Sequence, residues 1–233
     1  MSDMNLRALL GRGRKLLGRM RIGETTDQSE SSYSLLALRL ERDLARQAKG
    51  RSILVAAVDD DTVALETTVE LAWSLAEELG HTVLLVDAVL SGGTLSSSMG
   101  LADKPGLAEL LEQPAISPAA LQLRTQPTRH ERIALLPHGY GLGVTLRSAV
   151  LRNVMSAACE HYDFVLVQGS LLIDRERSLA FGSLVDAALL LAVENKSAID
   201  DVTRGQALLN DCGVRRVALV LGNPAHTRET ASR

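Results

Sequence analysis

Short apolar runs recur along the chain, and segments with helical periodicity separate most of them. The apolar runs predict strands buried on both faces, at residues 53–58, 82–88, 132–136, 164–167, 187–193 and 217–221. The helical segments that follow the first of them lie at residues 63–79, 106–112, 118–123, 146–161 and 198–209. This alternation predicts an α/β fold, with a mostly parallel central sheet covered by helices on both faces.

The chain ahead of the first predicted strand has a different pattern. Residues 4–22 place leucines and Met20 on one face of a predicted helix, with basic residues mostly on the other face. The basic residues are Arg7, Arg12, Arg14, Lys15, Arg19 and Arg21. This pattern is typical of a helix that lies on an anionic membrane surface or docks on a partner. Glycines within residues 4–22 weaken the predicted helix, so a flexible basic tail is the alternative.

Domain boundaries follow from these patterns. Residues 23–32 are polar and linker-like, and residues 33–48 form a further predicted helix. We therefore predict a basic amphipathic segment with its linker at residues 1–32 and one folded domain at residues 33–223. Residues 224–233 are predicted to be a frayed tail.

Composition and charge narrow the function classes. Aromatic residues make up only 3% of the chain, which argues against a single-stranded nucleic-acid surface built on stacking rings. The net charge is −3, but residues 1–22 carry six basic side chains against one acidic side chain, so the remainder is net acidic. No apolar run reaches the about 18 residues of a membrane span, and no secretory signal is evident. We expect a cytoplasmic protein in which Cys159 and Cys212 are buried thiols.

The segment after the first predicted strand is where a phosphate-binding α/β protein carries a glycine-rich loop ending in a lysine and a hydroxyl. Here residues 59–66 contain neither glycine nor lysine, and they begin with Asp59, Asp60 and Asp61. Adjacent acids in a loop can bind a metal, but a solvated helix cap is the commoner arrangement. We therefore predict no metal site at this segment.

Two further predictions concern other parts of the domain. Residues 91–100 are predicted to be a flexible loop, with an anion-binding nest as the alternative. Trp73 is assigned to the core.

Three stretches in this order, the strand–loop–helix at residues 53–68, VLLVDA and YDFVLV, resemble the cytoplasmic domain of bacterial tyrosine autokinases. Other fragments match in sequence order, among them SYSLLALRL, GLAELLE, IALLPHG, VDAALLLAVENKS and VRRVALVLGN. The resemblance covers residues 33–223 and implies a three-layer αβα P-loop NTPase-like fold, related to the MinD/ParA ATPases. Members of that family work with a membrane chain-length protein in capsule and exopolysaccharide export.

The same resemblance implies a degenerate nucleotide site. The family's glycine-lysine-serine/threonine triplet falls on Val63, Ala64 and Leu65, so the phosphate-binding lysine and the Mg²⁺-binding hydroxyl are missing. Of the two aspartates expected in the second motif, only Asp87 is present. Gln168 stands where the third motif has a metal-coordinating aspartate, and an amide cannot supply that charge. The acidic triplet at residues 59–61 would also repel a polyphosphate.

Two further family features are absent. The tail after residue 223 has no tyrosine cluster for autophosphorylation. The glutamate and two arginines that form the family's ring contacts correspond to Ser31, Ser34 and Ala37, which puts ring assembly of that type in doubt.

The resulting hypothesis is a catalytically inactive, tyrosine-kinase-like component of exopolysaccharide or capsule biosynthesis and export. It would have no catalytic residues and no cofactor, ATP and Mg²⁺ included, and would not bind nucleic acid. Its partner would be a membrane polysaccharide co-polymerase or a true tyrosine kinase, and its basic segment would hold it at the inner membrane. The alternatives are a tyrosine kinase or ATPase with an unusual nucleotide site that uses Asp87 and the acidic triplet, and a MinD/ParA-like positioning adaptor.

Overall fold

A computed structural model describes residues 19–22, 26–44, 49–89, 94–113, 116–140, 147–171 and 173–222. Its strands are β1 (Arg19–Ile22), β2 (Arg51–Ala57), β3 (Val83–Asp87), β4 (Gln126–Pro127), β5 (Ile133–Leu136), β6 (Phe164–Gln168), β7 (Ala187–Val193) and β8 (Val217–Gly222). They form one eight-stranded sheet with the order β1-β8-β7-β2-β6-β3-β5-β4. Neighbouring strands are parallel, except that β4 is antiparallel to β5.

The helices cover both faces of this sheet. They are α1 (Thr26–Asp43), α2 (Asp61–Trp73), α3 (Thr94–Ser98), α4 (Leu107–Leu111), α5 (Pro118–Arg124), α6 (Ser148–His161) and α7 (Ile199–Asp211). A π-helical turn (Ser74–Glu78) continues α2, and a 3₁₀ helix (Ile173–Leu184) precedes β7. No helix in the described part of the chain is both long and apolar enough to cross a membrane.

Side chains alternate between two hydrophobic cores. In β2, Ile53 and Val55 face a core shared with α1 and α2, whereas Leu54 and Ala56 face a core shared with α4, α5, α6 and α7. Every residue of β2 is buried because helices cover both faces of a parallel sheet. Burying a Leu, Ile or Val side chain contributes about 1.5–3 kcal/mol, so these continuous apolar strands fix the layer order. The predicted αβα architecture with a mostly parallel sheet is confirmed.

The six predicted strands are all present, but two predictions at the N-terminal side are wrong. Residues 19–22 form a strand instead of the end of a helix, because they pair with the exposed edge of β8 from Arg19 opposite Leu219 to Ile22 opposite Gly222. Residues 26–32 belong to α1 instead of a linker, since acidic residues suit the first turns of a helix. The predictions for Arg7, Arg12, Arg14 and Lys15 lie outside the described residues.

Other local predictions also need correction. Residues 94–98, predicted as loop, form α3. Trp73 is 51% exposed instead of buried, because it ends α2 on the side that faces solvent. Cys159 and Cys212 are half-buried instead of fully buried.

Candidate functional site at the carboxyl edge of the sheet

The candidate site lies where β2, β3 and β6 end. The register places Gln168 of β6 opposite Val55 of β2 on one side and Asp87 of β3 on the other. Asp87 and Gln168, predicted from separate motifs, are therefore neighbours at one edge. Open parallel α/β sheets bind their ligands at this carboxyl edge.

The connection from β2 to α2 is shorter than predicted. The strand ends at Ala57 and the helix begins at Asp61, so only Val58, Asp59 and Asp60 lie between them. The predicted helix start at residue 63 is therefore two residues too late, since Asp60 caps a helix that begins at Asp61. A phosphate-binding loop needs about eight residues whose backbone N–H groups surround the phosphates.

Residues 63–65, where the family's lysine motif falls, lie inside the first turns of α2. Ala64 is fully buried and packs in the core shared with α1. Val63 and Leu65 pack against the same core and are partly buried. Apolar side chains that pack in the core therefore occupy the positions where the family has its lysine and its hydroxyl.

Asp60 occupies the N-terminus of α2. Its Oδ1 accepts a hydrogen bond from the Thr62 N–H at 2.9 Å, and its backbone carbonyl accepts one from the Val63 N–H at 3.1 Å. Its Oδ2 lies 3.2 Å from Lys196 Nζ. Partial burial alone would raise the pKa of Asp60, but the Thr62 hydrogen bonds and Lys196 outweigh it and hold that pKa below its usual value. A fixed carboxylate thus sits where helix N-termini bind phosphate.

The turn after β7 folds onto this acidic loop. The Ser197 hydroxyl donates a short hydrogen bond to Asp59 Oδ2 and accepts one from the Val193 N–H at 2.8 Å. Asn195 in the same turn has a φ of 61°, a left-handed conformation that asparagine tolerates. Asp61, the first residue of α2, is only 5% exposed. Asp59 and Asp60 therefore contact the turn after β7, and sequence reasoning missed the Lys196 and Ser197 side chains that make these contacts.

Asp87 is fully buried and is held by α3. Its Oδ2 accepts hydrogen bonds from the Ser96 N–H at 2.8 Å and the Ser96 hydroxyl at 2.7 Å, while Oδ1 accepts one from the Val89 N–H at 3.2 Å. Burial raises the pKa of Asp87, although these donors and the nearby His138 partly oppose the shift. Ser96 also accepts a hydrogen bond from the His138 N–H at 3.0 Å, so the carboxylate joins β3, α3 and the segment after β5.

Gln168 and its surroundings are also buried. Gln168 and Ser170 are both fully inaccessible to solvent, and the Ala88 N–H donates to the Gln168 backbone carbonyl at 3.0 Å. Among the residues that the structure describes, no three His, Cys, Asp or Glu side chains converge in a way that could hold a metal ion. The described site therefore combines helix-capping acids, a structural aspartate and a neutral amide.

This fold is the one shared by bacterial tyrosine kinase domains and by ATPases of the ParA/MinD type. The kinase domain of the Escherichia coli tyrosine kinase ETK superposes with a TM-score of 0.75 at 17% identity, over 95% of this chain and 94% of that one. The BceF tyrosine kinase domain gives a TM-score of 0.72 at 18% identity, with coverage of 95% and 98%. The resemblance predicted from the sequence is confirmed at the level of the fold.

A second group of solved structures is similar over a smaller part of the chain. The cell division ATPase MinD of Pyrococcus furiosus gives a TM-score of 0.58 at 22% identity, over 74% of this chain and 71% of that one. Neither the protein-family models nor the curated proteins give a match in sequence.

Proposed function

We propose that this protein is a catalytically inactive, tyrosine-kinase-like component of exopolysaccharide or capsule biosynthesis and export. The observation that carries the proposal is the Asp60 carboxylate at the N-terminus of α2, hydrogen-bonded to Thr62 where a nucleotide phosphate would lie. The assignment to polysaccharide export comes from the likeness to bacterial tyrosine kinase domains. The protein would act through contact with a membrane co-polymerase or an active kinase.

The charges at the site support the absence of phosphoryl transfer. That reaction depends on positioning and on cations that neutralise the phosphates. Lys196 reaches the α2 N-terminus, but Asp60 balances its charge. Asp87 already accepts hydrogen bonds from Ser96 and Val89, and the neighbouring Gln168 carries no charge for Mg²⁺. We therefore infer that ATP and Mg²⁺ are not cofactors of this protein.

Helix α1, which carries Ser34 and Ala37, supports a mode of assembly different from the family's ring. Ala37 is fully buried, so it is not available for a contact between subunits. The Ser34 hydroxyl donates to Glu78 Oε1 of the same chain at 2.8 Å. We infer that membrane or partner contact instead involves the basic N-terminal segment, of which Arg19 and Arg21 lie in the edge strand β1.

Nucleotide binding tests the inactive site. Isothermal titration of the full chain with Mg-ATP and with Mg-ADP should give no saturable heat at concentrations where the ETK kinase domain, used as the positive control, binds. An Asp60→Gly variant asks whether the carboxylate alone blocks the site. We expect this variant also to bind nothing, because the shortened connection still lacks a phosphate-binding loop. Micromolar binding by the unmodified chain would favour an enzyme with an unusual site.

Capture from the native membrane fraction tests the partner. The bait is the full chain, and the matched variant carries Arg7, Arg12, Arg14 and Lys15 replaced by Gln, which leaves the described strand β1 unchanged. Recovery of a polysaccharide co-polymerase or a tyrosine kinase with the bait, reduced with the variant, is the expected result. Recovery of positioning or partition proteins in their place would favour the MinD/ParA-like adaptor.

A further inference from the structure

A cavity of about 600 Å³ opens between the second half of α2, β3 and the segment that joins β4 to β5. Its apolar wall is formed by Val69, Ala72, Leu85, Met99, Leu101 and Ile133. No residue of the acidic loop at positions 59–61 lines it. Its volume falls within the range of about 300–1,000 Å³ that is typical of small-molecule sites.

Two rings form part of the cavity wall. Trp73 is 51% exposed, and its ring centroid lies 5.1 Å from that of His130 in an edge-on arrangement. His130 Nδ1 accepts a hydrogen bond from the Arg132 N–H at 3.1 Å, so its Nε2 carries the proton and donates to Glu77 at 3.0 Å. The imidazole is therefore held in place beside the indole. A large exposed aromatic side chain next to a cavity is typical of a binding surface.

Arg129 supplies a positive charge at the same cavity. It is solvent-exposed, and among the described residues it makes no ion pair or hydrogen bond. Its polar neighbours differ in this respect, since the Thr128 hydroxyl donates to the Ile133 carbonyl at 2.7 Å and His130 is paired with Glu77. A guanidinium has five N–H donors suited to a carboxylate or phosphate. Arg129 thus complements an anionic group on a ligand whose remaining part is apolar.

We propose that this cavity binds an amphipathic organic anion. The apolar body of the ligand contacts Met99, Leu85 and Trp73, and its carboxylate or phosphate pairs with Arg129. The proposal goes beyond the function proposed above and does not depend on it. A free fatty acid and an alkyl phosphate share this chemistry, and the experiment distinguishes them.

Trp73 is the only tryptophan of the chain, so its fluorescence reports on this cavity directly. The full chain is titrated with decanoate, decyl phosphate and the uncharged decanol, each below its aggregation limit. At least one anion should give a saturable change, with at least about tenfold weaker binding of decanol, a factor that corresponds to about 1.4 kcal/mol. The preferred anion identifies the headgroup. No saturable change with either anion, or equal binding of decanol, would overturn the proposal.

Two variants test the assigned contacts. Arg129→Gln should weaken binding of the preferred anion at least about tenfold and leave decanol binding unchanged, because a charged hydrogen bond is lost. The control variant is Arg215→Gln. Arg215 is an exposed arginine just before β8, which lies toward the opposite edge of the sheet from β3 and β5, so this variant should bind every ligand like the unmodified chain. Val69→Phe, which fills part of the cavity, should reduce binding of every ligand. If Val69→Phe does not fold, Arg129→Gln still decides, since unchanged anion binding by that surface variant contradicts the proposal.

Discussion

Lys196 Nζ lies 3.2 Å from Asp60 Oδ2, although 136 positions separate the two residues in the chain. In a phosphate-binding loop, a lysine at the start of the helix would contact the phosphates of a bound nucleotide. Here a lysine reaches the same helix end from the turn after β7, and it contacts a carboxylate of the protein itself. A carboxylate of the protein itself therefore faces both the positive end of the α2 dipole and the lysine.

Removal of the Asp60 cap should destabilise the fold more than removal of its cationic partner. Asp60→Ala loses the hydrogen bond to the Thr62 N–H, which costs about 1 kcal/mol. Lys196→Met removes only a solvent-exposed ion pair, which is worth about 0–1 kcal/mol. Urea unfolding gives both values. Asp103→Ala, at a largely exposed acid, should change stability by less than about 0.5 kcal/mol. An Asp60→Ala protein as stable as its parent would contradict the capping role.

Acid should remove the contribution of Asp60. The pKa of this carboxyl is lower in the folded protein than its ordinary value, so its ionised form stabilises the fold. That stability is present above the unfolded pKa of about 3.9 and is lost as pH falls through the lower folded value. Unfolding free energies of the parent and of Asp60→Ala should therefore differ at pH 6 and approach each other as the pH falls below about 4. A difference that stays constant over this range would argue against an ionised cap.

Asp87 should show the opposite pH dependence. Burial raises the pKa of this carboxyl, so the folded protein holds the proton more tightly than the unfolded chain does. The stability that comes from this tighter proton binding is fully present below the unfolded pKa of about 3.9. It is lost as the pH rises through the raised pKa of the folded protein. Asp87→Asn has no such titration. The stability of this variant relative to the parent should therefore rise as the pH increases above about 4, and a relative stability that does not change with pH would contradict the raised pKa of Asp87.

The layers of this fold could be predicted from the sequence because burial on both faces leaves a simple pattern. β7 coincides with the apolar run at residues 187–193, and the predicted bounds of the other central strands are correct to within one or two residues. The edge strand β1 was missed because its four residues, RMRI, alternate polar and apolar side chains over too short a length to outweigh the helical pattern of the leucine-rich stretch before them.

The details of the candidate site depend on contacts that no local pattern contains. Asp60 was recognised as a member of an acidic cap, but its pairing with Lys196 arises only when β2 and β7 lie side by side. The length of the connection was misjudged because Thr62 and Val63 suit a loop and a helix start about equally well. Trp73 was assigned to the core by its position on an apolar helix face, whereas the neighbouring cavity leaves half of it exposed.

Ser96 should be essential for the buried network around Asp87. Ser96→Ala removes a hydroxyl that donates to Asp87 Oδ2 at 2.7 Å and accepts from the His138 N–H at 3.0 Å. The His138 N–H loses its acceptor, and Asp87 loses a donor, so we expect a loss of about 1–3 kcal/mol in unfolding free energy. The matched control is Ser97→Ala in the same helix, at an exposed position, with a change below about 0.5 kcal/mol. Equal effects of the two substitutions would show that the network adds nothing specific.

Cys159 should react slowly with thiol reagents. Burial raises the pKa of its thiol to about 11, and the negative charge of Asp186 adds to the shift. Because the thiolate is the reactive form, a rise of about two pKa units lowers the reactive fraction at pH 8 by about 100-fold. The rate of reaction with a disulfide reagent, measured in a Cys212→Ser background, should therefore be at least that far below the rate of a free cysteine. Unfolding in urea should restore the ordinary rate, and fast labelling of the folded protein would place Cys159 in a different environment.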